Sequence, residues 1–123
     1  MKKIVVLIIC TVFLFAFSID SYAGSIHQYI GQYFYSTAYS FTNHLQYGFA
    51  GTSEDGCHCY TYVAVYKNNN LLSSNVSDCV TTNSDPNYTQ YTEASIRHSK
   101  SNKGKYDLSI KKNGVVKLRS VVY

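Results

Sequence analysis

Past residue 24 the chain is built on alternation. From Tyr33 to Phe41 the odd positions are Tyr33, Tyr35, Thr37, Tyr39 and Phe41, and the even positions are Phe34, Ser36, Ala38 and Ser40. Aromatic and β-branched residues at every second position predict a strand with one bulky face and one mostly small face. A second strand is expected over Leu45–Ala50, with Leu45, Tyr47 and Phe49 on one face, followed by a polar turn from Gly51 to Gly56. Cys57 to Tyr66 is the most strand-like stretch: Cys57, Cys59, Thr61, Val63 and Val65 face one way, and His58, Tyr60, Tyr62, Ala64 and Tyr66 the other. Asn68-Asn69-Asn70 reads as a turn into a short strand near Leu71–Val76. Thr81–Asn87 reads as a polar loop holding the only proline, Pro86. Tyr88 to His98 alternates again, and Ser99–Gly104 is a loop. No stretch past residue 24 carries a helical period of useful length.

The last hairpin is the most informative segment. A two-residue Asn113-Gly114 turn would set Ile110 opposite Lys117 and Leu108 opposite Arg119, a mismatch on both rungs. A three-residue loop, Lys112-Asn113-Gly114, pairs Lys111 with Val115, Ile110 with Val116, Leu108 with Leu118 and Asp107 with Arg119. Face matching sets register, so this loop is expected, with Gly114 at positive φ. Six or seven strands spaced about ten residues apart predict an all-β fold, a small antiparallel β-sandwich or open barrel.

The first residues have a different character. Lys2 and Lys3 precede an uncharged apolar run from Ile4 to Phe17, and Ser21-Tyr22-Ala23 places small residues where a signal peptidase reads them. That order predicts a secretory signal over residues 1–23, cleaved after Ala23. The run is shorter than the roughly 20 apolar residues that span a bilayer, so stable membrane insertion is not expected. Residues 24–123 then form a single secreted β domain, extracellular in location. A large enzyme, a multidomain receptor and a multispan membrane protein are excluded by length.

Charge is unevenly placed. Residues 97–123 hold eight of the chain's 11 basic residues and one acid, Asp107. Such an end attracts anionic partners. For an exported protein the matching partner is an anionic cell-envelope component or a cell-wall precursor, and nucleic acid is not expected. Lys111, Lys112, Lys117 and Arg119 are the candidate binding cations.

Three of the four cysteines, Cys57, Cys59 and Cys79, lie past the signal. Export favours disulfides, and the odd number leaves one thiol free or paired between chains, so a disulfide-linked dimer is one outcome. Both Cys59–Cys79 and Cys57–Cys79 close a loop of about 20 residues, worth roughly 3 kcal/mol on the chain-entropy model; the first is slightly favoured. A zinc site from these cysteines and a histidine such as His44 is the rival. Cys-x-Cys without a second close pair is weak support for it, and no metal is expected. There is no nucleophile elbow, no phosphate-binding glycine loop and no cofactor motif; Glu54-Asp55 is the only paired carboxylate, and it sits in a turn. Neither enzyme activity nor a cofactor is expected.

Tyrosine is abundant, with 13 in the chain. A phenol has an apolar face and a polar tip and suits both half-buried packing and recognition. Tyr33, Tyr35 and Tyr39, or Tyr60, Tyr62 and Tyr66, are candidates for a stacking platform or a membrane-interface patch, the rival being that one of these sets fills the core; Tyr60, Tyr62 and Tyr66 are the candidate binding set. Tyr35-Ser36-Thr37-Ala38-Tyr39-Ser40 followed by His44, then Glu93-Ala94-Ser95-Ile96 and Lys105-Tyr106-Asp107-Leu108, resembles the lactococcin-972 family of exported bacterial antimicrobial proteins. The resemblance covers about half of the domain, with gaps. It implies a small β-sandwich that targets a cell-wall precursor at the division septum of related bacteria. The three cysteines and the greater length depart from the family pattern. A small secreted protein acting at a cell envelope, bacteriocin-like, is therefore expected; the alternative is a non-toxic extracellular domain that binds carbohydrate or protein through a tyrosine-rich face.

Overall fold

The computed structural model describes residues 22–82 and 85–122; of the secretory signal expected over residues 1–23, residues 1–21 lie outside the described residues. Among them are eight strands and no helix: β1 (Tyr22–Ile30), β2 (Tyr33–Ser40), β3 (Leu45–Thr52), β4 (Cys57–Lys67), β5 (Asn70–Val80), β6 (Gln90–Arg97), β7 (Lys103–Lys112) and β8 (Val115–Val122). They form two antiparallel four-stranded sheets, sheet I in the order β1-β2-β3-β6 and sheet II in the order β5-β4-β7-β8. The sheets are not closed into a barrel, so the sandwich is the architecture realised. β1 is the strand that alternation did not announce: it begins inside the small-residue segment assigned to peptidase recognition and ends at the Gly31-Gln32 turn. β5 runs four residues beyond the short strand expected near Leu71–Val76.

The core lies between the sheets, where the alternation places it. β4 buries Cys57, Cys59, Thr61, Val63 and Val65 completely, and β7 adds Tyr106, Leu108 and Ile110. Sheet I answers with Tyr35 and Tyr39 from β2, Ala50 from β3 and Ala94 from β6. The aromatic face of β2 is therefore core: Tyr35 is only 7% exposed. Burial of this kind is the main favourable term in folding.

Two glycines let the sheets close. A Cβ on Gly48 of β3 would lie 2.9 Å from Thr61 Cγ2, 3.0 Å from Val63 Cγ1 and 3.1 Å from Leu108 Cδ2. On the opposite sheet, a Cβ on Gly104 of β7 would meet Tyr39 Cδ2 at 2.7 Å and also the Gln46 amide oxygen. Each sheet thus leaves a gap where the other's bulk lands. Polar groups trapped inside are bonded, as burial demands. Gln46 Nε2 donates to Thr37 Oγ1 (2.6 Å) and to the Tyr47 carbonyl (3.0 Å), while Thr37 Oγ1 donates to the same carbonyl (2.8 Å). The Tyr39 hydroxyl bonds Ser101 Oγ at 2.9 Å, and Thr61 Oγ1 donates across the sandwich to the Thr92 carbonyl at 3.3 Å.

The last hairpin corrects the expected loop. Its turn is the two-residue Asn113-Gly114, with both residues at positive φ (53° and 76°), and Lys112 pairs with Val115. Asn-Gly favours this mirror-image turn because its twist matches that of the strands. The mismatch is absorbed one rung later: a β-bulge between Ile110 and Lys111 skips one residue of β8, so Ile110 meets Leu118. Leu108 then pairs with Ser120 and Asp107 with Val121, not with Leu118 and Arg119. Face matching holds at Ile110, but a bulge achieves it and not a longer loop.

Leu108→Ala should lower stability by about 2–5 kcal/mol, and Gly48→Ala by about 1–3 kcal/mol through overpacking, both read as lower urea midpoints. Val116→Ala, at an exposed position, should change it by no more than about 0.5 kcal/mol. An unchanged midpoint for Gly48→Ala would show that the sheets are not held together at this point.

Candidate functional site

The outer face of sheet II collects most of the residues expected to bind. β4 turns His58, Tyr60, Tyr62 and Tyr66 outward, each half-buried. Pairing with β7 sets Lys111 opposite His58, Ser109 opposite Tyr60 and Asp107 opposite Tyr62; on β8, Arg119 stands opposite Ser109. Asp78 of β5 completes the rung that carries Tyr60. His58, Tyr60, Asp107, Ser109, Lys111 and Arg119 line one groove of about 360 Å³.

Both signs of charge meet there. Arg119 Nε lies 3.8 Å from Asp107 Oδ1, a buried oxygen with no hydrogen-bond partner among the described residues, and His58 Nε2 lies 3.0 Å from Asp78 Oδ2. Burial, then the neighbouring Asp107, Tyr62 and Asp78, raise the Tyr60 pKa, so the phenol is a hydrogen-bond donor at neutral pH. Lys111 extends from the end of the groove, exposed. The groove therefore offers two long cations, a phenol and an under-used carboxylate oxygen within one short stretch of sheet. Such a set suits a ligand with anionic groups beside hydrogen-bond donors better than it suits a simple anion.

The expected cation set is split. Lys112 follows Lys111 and so faces the opposite way, opposite Cys57. Its Nζ lies 2.7 Å from Glu54 Oε1. The Tyr33 hydroxyl donates to Glu54 Oε2, and Thr81 Oγ1 donates to the Glu54 carbonyl at 2.7 Å. These bonds pin the turn between β3 and β4 to β2 and β7. The Glu54 carboxyl is held below its ordinary value by the Lys112 ammonium and then by the Tyr33 hydroxyl, while burial and Glu54 push the Tyr33 phenol up to about 12. Lys117 sits beside the bulge and adds to the positive potential at Glu54. Lys112 is thus a structural cation and Lys117 belongs to its end of the molecule, apart from Lys111 and Arg119.

The two tyrosine sets also separate. Tyr35 and Tyr39 are core and Tyr33 is tied to Glu54. Tyr62 stands one rung from Tyr60, between Val76 and Asp107. Tyr66 lies past a bulge at the far end of β4, beside Asn68, Lys103 and Lys105 around a smaller hollow of about 200 Å³.

Cys57, Cys59 and Cys79 are free thiols, and no disulfide is seen among the described residues. His44, the fourth ligand of the zinc alternative, hydrogen-bonds the Ser101 carbonyl through Nδ1 at 2.7 Å, among the loops that flank Tyr39. Among the described residues no group of three or more His, Cys, Asp or Glu is placed to hold a metal ion, and no helix is long and apolar enough to cross a membrane.

One feature escaped the alternation. Tyr29, Phe34, Phe49 and Tyr91 form a stripe over the outer face of sheet I, one ring per strand, with centroid steps of 4.4, 5.3 and 4.8 Å. The three steps are tilted (35°), edge-on (64°) and stacked (26°), so each ring packs against the next. They close over Gly51, where a Cβ would lie 2.8 Å from Tyr91 Cβ. The signal lay in single large rings on otherwise small or polar faces: Phe34 among Ser36, Ala38 and Ser40, and Tyr91 among Thr89, Glu93 and Ser95. With each ring packed against its neighbour on the next strand, the stripe is cross-strand aromatic packing.

No protein-family model matches the chain, and no curated protein or solved structure is similar to it beyond chance.

The Glu54 cluster has a pH signature. A carboxyl whose folded pKa is lowered from 4.5 stabilises the fold above its unfolded value and loses that contribution as pH falls through the folded one. Glu54→Gln should be less stable than wild type at neutral pH, and the gap should close on acidification, measured as thermal midpoints against pH. A gap that stays constant down to the acid limb would contradict the pairing.

Proposed function

We propose that the chain is a small exported bacterial protein that acts at a cell envelope, bacteriocin-like, binding a cell-wall precursor or a similar anionic envelope component through the outer face of sheet II. The observation that carries this reading is the convergence of Lys111, Arg119 and Tyr60 on one groove that Asp107 also lines. Wall precursors carry phosphate and carboxylate beside hydroxyl and ammonium groups, and a groove of mixed charge complements that chemistry. The apolar run behind Lys2-Lys3 supports export, and the basic residues concentrated after Arg97 support an anionic partner. Binding rather than catalysis is the role assigned.

A second reading rests on the placement of Tyr60, Tyr62 and Tyr66 along one outer face of β4. It makes the chain a non-toxic extracellular recognition domain that takes carbohydrate or protein on that tyrosine face.

Co-sedimentation with lipid vesicles that contain or lack a bacterial wall precursor separates the two. Selective binding to precursor vesicles is expected, weakened about tenfold or more in a Lys111→Glu/Arg119→Glu variant and weakened by added salt. Lys117→Glu should leave it nearly unchanged. Equal binding to both vesicle types would contradict precursor recognition. No vesicle binding, with Tyr60→Ala instead abolishing binding to a glycan or protein, would favour the second reading.

A further inference from the structure

The β4–β5 pairing places Cys59 directly opposite Cys79, flanked by the regular pairs His58–Val80 and Tyr60–Asp78. Residues directly opposite on antiparallel strands have Cα atoms about 4.5–5.5 Å apart, inside the disulfide range of about 4.4–6.8 Å. The two thiols are close enough for each to shift the other's pKa. Cys57 is two pairs further on, opposite Thr81, whose amide donates to the Cys57 carbonyl at 2.8 Å. Its relation to Cys79 is therefore diagonal, about 7–8 Å, beyond reach without backbone movement. Cys57 and Cys59 point the same way from one strand, about 6.6 Å apart, and their side chains run parallel.

Access differs as sharply as spacing. Cys59 and Cys57 are fully buried, whereas Cys79 is half-buried and lines an open hollow with Val80, Tyr88, Gln90 and Tyr91. An external oxidant therefore meets one thiol, with its partner waiting directly behind it.

We infer that Cys79 and Cys59 are a built pair for oxidation to a cross-strand disulfide, with Cys79 the thiol that meets the oxidant, Cys59 the thiol that resolves, and Cys57 left out. The oxidant is a disulfide, either a small one or that of a thiol–disulfide oxidoreductase. Cys79 as its thiolate attacks one oxidant sulfur; a mixed disulfide forms, and the other oxidant sulfur leaves and takes up a proton as a thiol. Cys59 as its thiolate then attacks Cys79 Sγ, the mixed bond breaks, and the second oxidant sulfur leaves as a thiol. Two protein thiols are oxidised and one disulfide is reduced to two thiols, with protons conserved. Burial holds the Cys59 thiol up to about 12, so the second step is the slow one. The inference is independent of what the groove on sheet II binds.

The test is peptide mapping by mass spectrometry after the purified chain is exposed to glutathione disulfide under native conditions, then alkylated in denaturant. The expected result is a Cys59–Cys79 cross-linked peptide, loss of two hydrogen atoms, an alkyl label on Cys57 (and on Cys10 where the first residues are retained), and a higher thermal midpoint. Cys57→Ser should form the same bond. Cys79→Ser should leave Cys57 and Cys59 reduced while the fold persists. Alkylation at all three positions, a bond that includes Cys57, or dimers joined through Cys79 would each overturn the pairing.

Discussion

Everything in this molecule depends on how closely the two sheets meet, and that closeness is set by side chains that are absent. Gly48 on one sheet and Gly104 on the other sit where Thr61, Val63 and Leu108, and Tyr39, respectively, come to rest. Interiors are packed like organic crystals, so a single added methyl at either point has nowhere to go. With these gaps filled reciprocally, a core that draws on three tyrosines and several threonines, and on no phenylalanine or tryptophan, still closes. Its polar atoms are affordable because Gln46, Thr37, Tyr39 and Thr61 find partners inside the sandwich.

Close packing makes the inside–outside division strict, and the division decides where chemistry can occur. Along β4 every second residue is core, so His58, Tyr60, Tyr62 and Tyr66 are committed to the outer face. Along β7 the same rule separates Lys111 from its neighbour Lys112: one reaches the groove and the other is bound to Glu54. The bulge between Ile110 and Lys111 restores the apolar pairing of Ile110 with Leu118 and brings Arg119 opposite Ser109. The groove is thus a by-product of fitting a two-residue turn to an apolar strand.

Much of this was legible in the residues. Alternation found the face of β4, the strands from β2 to β4 and from β6 to β8, and the positive φ of Gly114, because each is a local property. What it missed is non-local. Nothing in Tyr22–Ile30 distinguishes a strand from a peptidase site, since small residues serve both. The bulge was invisible because residue count alone cannot say whether a mismatch is absorbed in a loop or in a strand. Lys112 looked like part of a cationic patch until Glu54, in a turn 58 residues earlier, was found beside it. The cysteines named three thiols and left two pairings open; only the β4–β5 register ranks them.

The most direct test of the account is a map of which backbone amides respond to the ligand. Titrating a wall precursor into isotope-labelled protein and following amide chemical shifts should perturb His58, Tyr60, Ser109, Lys111 and Arg119 together, with little change at the Tyr29–Tyr91 stripe or around Glu54. Shifts that instead gather at Glu54, Lys112 and Lys117, or along the stripe on sheet I, would contradict the assignment of recognition to the outer face of sheet II.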